Sequence, residues 1–290
     1  MENILNETKF LMNKYKIKAN KSLGQNFLID DYSVNKIVES ANISNEDLVI
    51  EIGPGFGTLT KYLLEKANKV ICIELDKRMI EILTDRFNLY KNFEIKNEDV
   101  LKIDLQKMIS NEKEKNDEIK NVKIVANLPY YITTPIITKI LESNLDLDSI
   151  VVMIQKEVAD RLIEIPGGKN TGAITYCIYY YCESEKILEV PKESFIPSPK
   201  VTSEVIRLRL RKKPPVQVLG KALMFKIIKC AYMQRRKTIL NSLTNTQVFS
   251  SKEEGSAILE KLNLDINIRP EKLTIEDFAS ITNEFINRLK

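Results

Sequence analysis

Histidine is absent from all 290 residues, and that absence excludes more chemistry than any residue present. A Ser-His or Cys-His nucleophile, an H-E-x-x-H zinc site and a histidine general base are all ruled out. The four cysteines, Cys72, Cys177, Cys182 and Cys230, form no C-x-x-C pair. They read as reduced thiols of a cytoplasmic protein, and no metal site is expected. No apolar run approaches the roughly 18 residues that span a bilayer, so no membrane association is expected. The first twenty residues lack an apolar core followed by a small-residue cleavage site, so no signal peptide is expected either. What remains is chemistry that needs little proton transfer and no metal.

Apolar residues make up 43 % of the chain and charged residues 29 %, an ordinary soluble composition. The length allows one large domain and a smaller one. The net charge of +4 conceals an asymmetry. Between Lys200 and Leu240 stand 12 lysines and arginines against the single acid Glu204, and the rest of the chain carries −7. A solvated lysine-rich surface would interleave Glu and Asp; a basic stripe on an acidic protein is the footprint of a nucleic-acid binder.

Short apolar runs alternate with helical patterns through the first half. Leu48–Ile52, Val70–Leu75, Phe93–Ile95, Val122–Ala126 and Ile150–Ile154 read as strands. Thr58–Ala67, Arg78–Phe87, Ile136–Leu141 and Lys156–Ile163 read as the helices between and after them. This order predicts an α/β fold, an open and mostly parallel sheet with helices on both faces. From Thr175 the runs TYCIYYYC, KILEV and VIRLRL read as strands without helices between them, an antiparallel edge of the same sheet. The sequence KKPPV then breaks the chain, and helices are predicted around 219–231, 236–243, 255–262 and 275–289. The expected boundary gives an α/β domain at 1–211 and a helical domain at 212–290. Asn111–Asn121 reads as a charged surface insertion, a loop or short exposed helix.

The first strand ends in Gly53-Pro54-Gly55-Phe56-Gly57. The dinucleotide fingerprint is G-x-G-x-x-G, which sets a helix N-terminus against a pyrophosphate. Here the spacing is G-x-G-x-G, which suits S-adenosylmethionine, where no pyrophosphate needs cradling. Glu74 ends the next strand about twenty residues on, where a carboxylate reaches ribose hydroxyls. Asp99, after the third strand, is placed to accept a hydrogen bond from an adenine amine.

Asn127-Leu128-Pro129-Tyr130 closes the fourth strand and is similar to the N/D-P-P-Y/F motif of amino-methyltransferases. The lone pair of adenine N6 is delocalised into the ring and is a poor nucleophile. An asparagine oxygen and a main-chain carbonyl beside the proline can accept its two N–H bonds and favour a pyramidal nitrogen. An aromatic face stacks on the base and tolerates positive charge developing on nitrogen. The sulfonium donor is already activated, so no strong base is needed. The bland alternative is a turn ending a strand, with a tyrosine packed beneath it.

That alternative loses ground because the motif stands in a fixed series. The series is Ser22-Leu23-Gly24-Gln25-Asn26-Phe27-Leu28, then Glu51 to Gly57, Asn127 to Tyr130, Phe195-Ile-Pro-Ser-Pro-Lys-Val201, and Gln234-Arg-Arg-Lys-Thr-Ile-Leu-Asn-Ser-Leu243. From about Lys21 to the C-terminus it closely resembles the bacterial small-subunit ribosomal RNA adenine N6,N6-dimethyltransferases, the KsgA or RsmA type. The resemblance implies a Rossmann-like methyltransferase domain with a small helical C-terminal domain. It implies a substrate of two adjacent adenosines in the 3′-terminal hairpin loop of 16S rRNA, within the 30S subunit or its precursor, each methylated twice.

Carried over by residue, Asn26, Leu28, Gly53, Glu74, Asp99 and Asn127 would contact S-adenosylmethionine, with Gln25, Gly55 and Gly57 completing the cofactor set. Asn127, Leu128, Pro129, Tyr130 and Phe195 would form the catalytic pocket, Tyr130 and Phe195 holding an adenine that has left its stack. Lys226, Lys229, Arg235, Arg236 and Lys237 would meet RNA phosphates. Tyr131 is expected to serve packing. Two other readings are a 23S rRNA dimethyltransferase of the antibiotic-resistance type and a non-catalytic assembly or transcription factor on the same fold. The Q-R-R-K-T-I-L-N-S-L and S-L-G-Q-N-F-L segments favour the small-subunit type, and the intact glycine turn and NLPY argue against a purely binding role.

Overall fold

The strand Asp47–Ile52 (β2) sends alternate side chains to opposite faces, yet all six of its residues are buried. Both faces of its sheet are therefore covered, as expected of a strand with apolar residues at successive rather than only alternate positions. A computed structural model describes residues 3–20, 23–143, 145–234 and 236–288 of the chain. The chain divides into two compact units, Met1–Ala159 with Ser184–Leu210, and Asp160–Glu183 with Arg211–Lys290.

The first unit carries the sheet. Lys69–Glu74 (β3), Phe93–Asn97 (β4), Asn121–Asn127 (β5) and Ser149–Gln155 (β6) join β2. Cys182–Val190 (β7) and Ser203–Leu210 (β9) complete the order β4-β3-β2-β5-β6-β9-β7. The pairs β2–β3, β3–β4, β2–β5 and β5–β6 are parallel, and β6–β9 is antiparallel. The strand order reverses between β2 and β5. That reversal opens a crevice at the carboxyl ends of the strands, where open α/β sheets bind ligands. Phe27–Leu28 (β1) pairs separately with Phe195–Ile196 (β8).

Helices Ile4–Lys14 (α1), Asp31–Ser40 (α2), Thr60–Leu64 (α3), Lys77–Phe87 (α4), Leu105–Lys115 (α5) and Thr133–Glu142 (α6) stand among these strands. Lys156–Leu162 (α7) follows β6. Asp30, Asp76 and Asp104 begin α2, α4 and α5 by accepting from the N–H groups of Ser33, Arg78 and Lys107, caps each worth about 1 kcal/mol. The core joins Val49, Val70, Val125 and Val151 of the strands to Ile37, Leu63, Met79 and Leu83 of the helices. The charged 111–121 stretch is the end of α5 and a turn. The Lys120 N–H donates to the Glu46 carbonyl at 2.8 Å, and Lys113 pairs with Asp146 at 2.7 Å.

The second unit is helical: Ala173–Tyr181 (α8), Lys221–Met233 (α9), Ile239–Asn245 (α10), Lys252–Lys261 (α11) and Ile275–Arg288 (α12). Here the structure corrects one expectation, because the TYCIYYYC run expected to be a strand is the body of α8. Five of its nine residues are buried, so the run is apolar on most sides and its periodicity cannot separate helix from strand. Packing decides. Tyr176 lies in the core of this unit, its ring against Phe278 (centroids 5.0 Å apart) and its hydroxyl donating to the Leu273 carbonyl at 2.6 Å. No helix among the described residues is long and apolar enough to cross a membrane.

Candidate active site

The turn after β2 takes a path that only glycine follows without strain. Gly53, Gly55 and Gly57 have φ of +66°, +57° and +82°, in the left-handed region where a Cβ meets the backbone. The Gly53 N–H donates to the Ile73 carbonyl at 3.0 Å, closing the turn onto β3. Gly53 and Gly55 face a cleft, whereas Gly57 lies outside its lining. A Cβ on Gly57 would overlap the Phe87 ring and stand 2.8 Å from Leu83, so this glycine seats the turn on α4. Arg86 reinforces the seat from the same helix, donating to the Phe56 carbonyl and pairing with Glu7 of α1.

Glu51, Glu74, Glu98 and Asp99 bring four carboxylates to the cleft. Glu74 ends β3 and is only 8 % exposed. Its Oε1 accepts from the N–H groups of Leu75 and Asp76, both at 2.8 Å, and its Oε2 from that of Gly55 at 3.4 Å. Burial pushes its carboxyl up, and those backbone bonds oppose the push. Asp99 lies beyond β4, its Oδ1 accepting from the Leu101 N–H at 2.9 Å. Glu51 lies in β2, 1 % exposed, and accepts from the Thr60 hydroxyl at 2.6 Å and the Cys72 thiol at 3.6 Å. Desolvation pushes it up to about 7.

The opposite wall is Asn127-Leu128-Pro129-Tyr130 at the end of β5. The Asn127 amide donates to the Asn26 carbonyl at 3.1 Å, which leaves the side-chain oxygen as the acceptor. The Leu128 N–H donates to the Met153 carbonyl at 3.1 Å, and the Pro129 carbonyl accepts from Ile132 N–H and the Thr133 hydroxyl, both at 3.2 Å. Tyr130 is hydrogen-bonded through its hydroxyl to Ser203 of β9 at 2.5 Å. Ser203 is fully buried, and burial holds the Tyr130 phenol above its ordinary range.

The segment Leu23–Leu28 forms a third side of the cleft. Leu28 faces the cleft while remaining 3 % exposed. Asn26 donates from its amide to the Gly24 carbonyl at 3.1 Å. Gln25 accepts from the Asn20 N–H at 2.8 Å and donates to Asp76 at 2.9 Å. Its side chain thus fastens this segment to the start of α4. Asp76 is held below the usual carboxylate range by Arg78, with Gln25 assisting.

The open space of the cleft, solvent at its mouth included, is about 1030 Å³. It brings together Gln25, Asn26, Leu28, Gly53, Gly55, Glu74, Asp99, Asn127, Leu128, Pro129 and Tyr130. Phe195 is not among its walls. It pairs with Leu28 across β1–β8 and is 3 % exposed in the core of the unit. Lys226 and Lys229 of α9, and Arg236 and Lys237 beyond it, are exposed in the second unit. Arg235 lies outside the described residues. Sequence reasoning missed Asp76 and Ser203, both polar and both buried; the only signal was a polar residue opening a helix and another opening an apolar strand.

S-adenosylmethionine fits this donor set. Two bare glycine backbones face a cavity wide enough for a nucleoside, two carboxylates stand at adjacent strand ends, and the apolar Leu75 and Val100 line the same space. The fold and cleft define an S-adenosylmethionine-dependent methyltransferase. Residues 16–287 match the family described as Ribosomal RNA adenine dimethylase. The chain is 48 % identical over 282 residues to Ribosomal RNA small subunit methyltransferase A of Alkaliphilus metalliredigens, covering 97 % of each. It is 45 % identical to the protein of that name from Clostridioides difficile, covering 96 % of this chain and 94 % of that one. The crystal structure of a dimethyladenosine transferase from Plasmodium falciparum superposes with a TM-score of 0.73 at 28 % identity, covering 90 % of this chain and 98 % of that one. The chain belongs to the ribosomal RNA adenine dimethylase family.

Proposed function

We propose that the enzyme dimethylates N6 of two adjacent adenosines in the 3′-terminal hairpin loop of 16S rRNA, within the small subunit or its precursor. The observation that carries this reading is the geometry of Asn127. Its amide nitrogen donates to the Asn26 carbonyl, which leaves Oδ1 as the group to accept from an incoming amine. The near full-length identity to proteins named for the small subunit supports this substrate over 23S rRNA.

Asn127 Oδ1 and the Leu128 carbonyl accept the two N–H bonds of the adenine amine and draw its lone pair out of conjugation. The Tyr130 ring, fixed through Ser203, stacks on the extruded base and faces the charge that develops on nitrogen. Glu74 orients the ribose and Asp99 the adenine of the cofactor, which when bound supplies an electrophilic methyl group. Phe195 acts through its pairing with Leu28, holding that wall in place. Lys226, Lys229, Arg236 and Lys237 in the helical RNA-binding part position the RNA through phosphates without reading bases.

The test is mass spectrometry of rRNA after incubating the protein and S-adenosylmethionine with unmethylated small or large subunits. Dimethyladenosine in 16S rRNA alone supports the reading, and label in 23S rRNA overturns it. Asn127→Ala should slow single-turnover transfer at unchanged RNA affinity; transfer at the parent rate removes Asn127 from the chemistry.

A further inference from the structure

We infer that Tyr131 forms a second base-binding surface, a stacking platform at the lip of the cleft for the nucleobase next to the one being methylated; this rests on the substrate reading above. Tyr131 directly follows the Asn127–Tyr130 motif and lines the same cleft. Its neighbours are spoken for: Leu128 is 1 % exposed, and Tyr130 is fastened to Ser203. Tyr131 is 56 % exposed, so packing does not account for it.

The ring nevertheless has a built seat. Gly24 lies under it with φ +61°, and a Cβ at that position would stand 3.1 and 3.3 Å from two carbons of the ring. The left-handed glycine lets the ring rest on bare backbone, and the Gln25–Asp76 bond at 2.9 Å fastens that backbone to α4. The Tyr131 ring is thereby backed by the Gly24 backbone while the residue stays 56 % exposed.

An exposed aromatic held at the mouth of a cleft that must admit an extruded base matches how proteins hold unstacked nucleotides. Extruding one adenosine strips its neighbour of a stacking partner, and the Tyr131 ring replaces that partner. Stacking tolerates any base because every base has a π-face, so the platform serves whichever of two adjacent adenosines is outside the pocket. Purines, with the larger face, are the ligand class.

The experiment pairs protein and RNA changes. Tyr131→Ala and Tyr131→Phe are compared on small subunits reconstituted with intact 16S rRNA, and with 16S rRNA made abasic at the neighbouring adenosine. Tyr131→Ala should lower kcat/KM for intact particles roughly five- to a hundredfold with S-adenosylmethionine affinity unchanged. Tyr131→Phe, which keeps the ring, should restore it. The parent should lose a similar factor on the abasic substrate, and Tyr131→Ala should lose nothing further there. Equal losses for parent and Tyr131→Ala on the abasic substrate overturn the platform, as does weakened cofactor binding in Tyr131→Ala, which would assign the ring to the cofactor's wall. A parent that leaves intact 16S rRNA unmethylated overturns the substrate reading and the platform together.

Discussion

A chain without histidine has few groups that change charge between pH 5 and 8, and here the buried carboxyl of Glu51 is one of them. Its hydrogen bonds from Thr60 and Cys72 only partly offset the loss of water, and the nearby Glu74 adds repulsion. The carboxyl is pushed from its ordinary 4.5 up to about 7. Between those values the native chain holds a proton that the unfolded chain has released. Stability contributed by the protonated form is therefore complete below about pH 4.5 and lost as pH rises through about 7. A shift of this size corresponds to roughly 3 kcal/mol in all, a substantial part of a typical domain's stability. Glu51→Gln keeps the shape and the acceptor and carries no charge. It should match the parent below about pH 4.5, exceed it by about 3 kcal/mol at pH 8, and show a flatter profile in between. Glu74, pushed in the same direction, leaves a residual slope common to both proteins. Urea unfolding at half-unit steps from pH 4 to 8 gives the two curves. If they run parallel, Glu51 is not the titrating group and the burial argument fails.

Glu74→Ala should weaken S-adenosylmethionine binding by roughly tenfold or more, since hydrogen bonds to charged groups contribute about 1.5–3 kcal/mol; unchanged calorimetric affinity in a folded variant takes Glu74 out of the site. Gly57→Ala combines a left-handed φ with overlap onto Phe87 and Leu83 and should destabilise the fold by about 2–4 kcal/mol, a cost that a cofactor-contact role alone would not produce in urea unfolding without ligand. Ser203→Ala and Tyr130→Phe each break the same 2.5 Å bond, so their effects on single-turnover rate should not add; additive losses mean that Ser203 does not act through Tyr130. Replacing Arg236 and Lys237 with Gln should lower the salt dependence of small-subunit binding by roughly 0.7–0.9 per lost phosphate contact, and an unaltered slope sinks the RNA-contact assignment.

The strands of the parallel sheet, the glycine turn, the acidic strand ends and Asn127 to Tyr130 were legible in the residues alone. Each is a local pattern whose physics is complete within a few neighbours: an apolar run fills a covered strand, and a G-x-G-x-G turn needs positive φ. The rest depends on contacts between distant segments. Tyr130 is fixed by Ser203, 73 residues away, and Gln25 by Asp76, 51 residues away, and no local pattern announces a hydrogen bond across such distances. Phe195, a pocket candidate by motif, turns into the core because the β1–β8 pairing sets its face. Gly57 shares the glycine spacing yet points at α4, since its direction depends on where Phe87 and Leu83 pack. The TYCIYYYC run became a helix because a stretch buried on most sides carries no period to read, and its structure was settled by the helices that surround Tyr176.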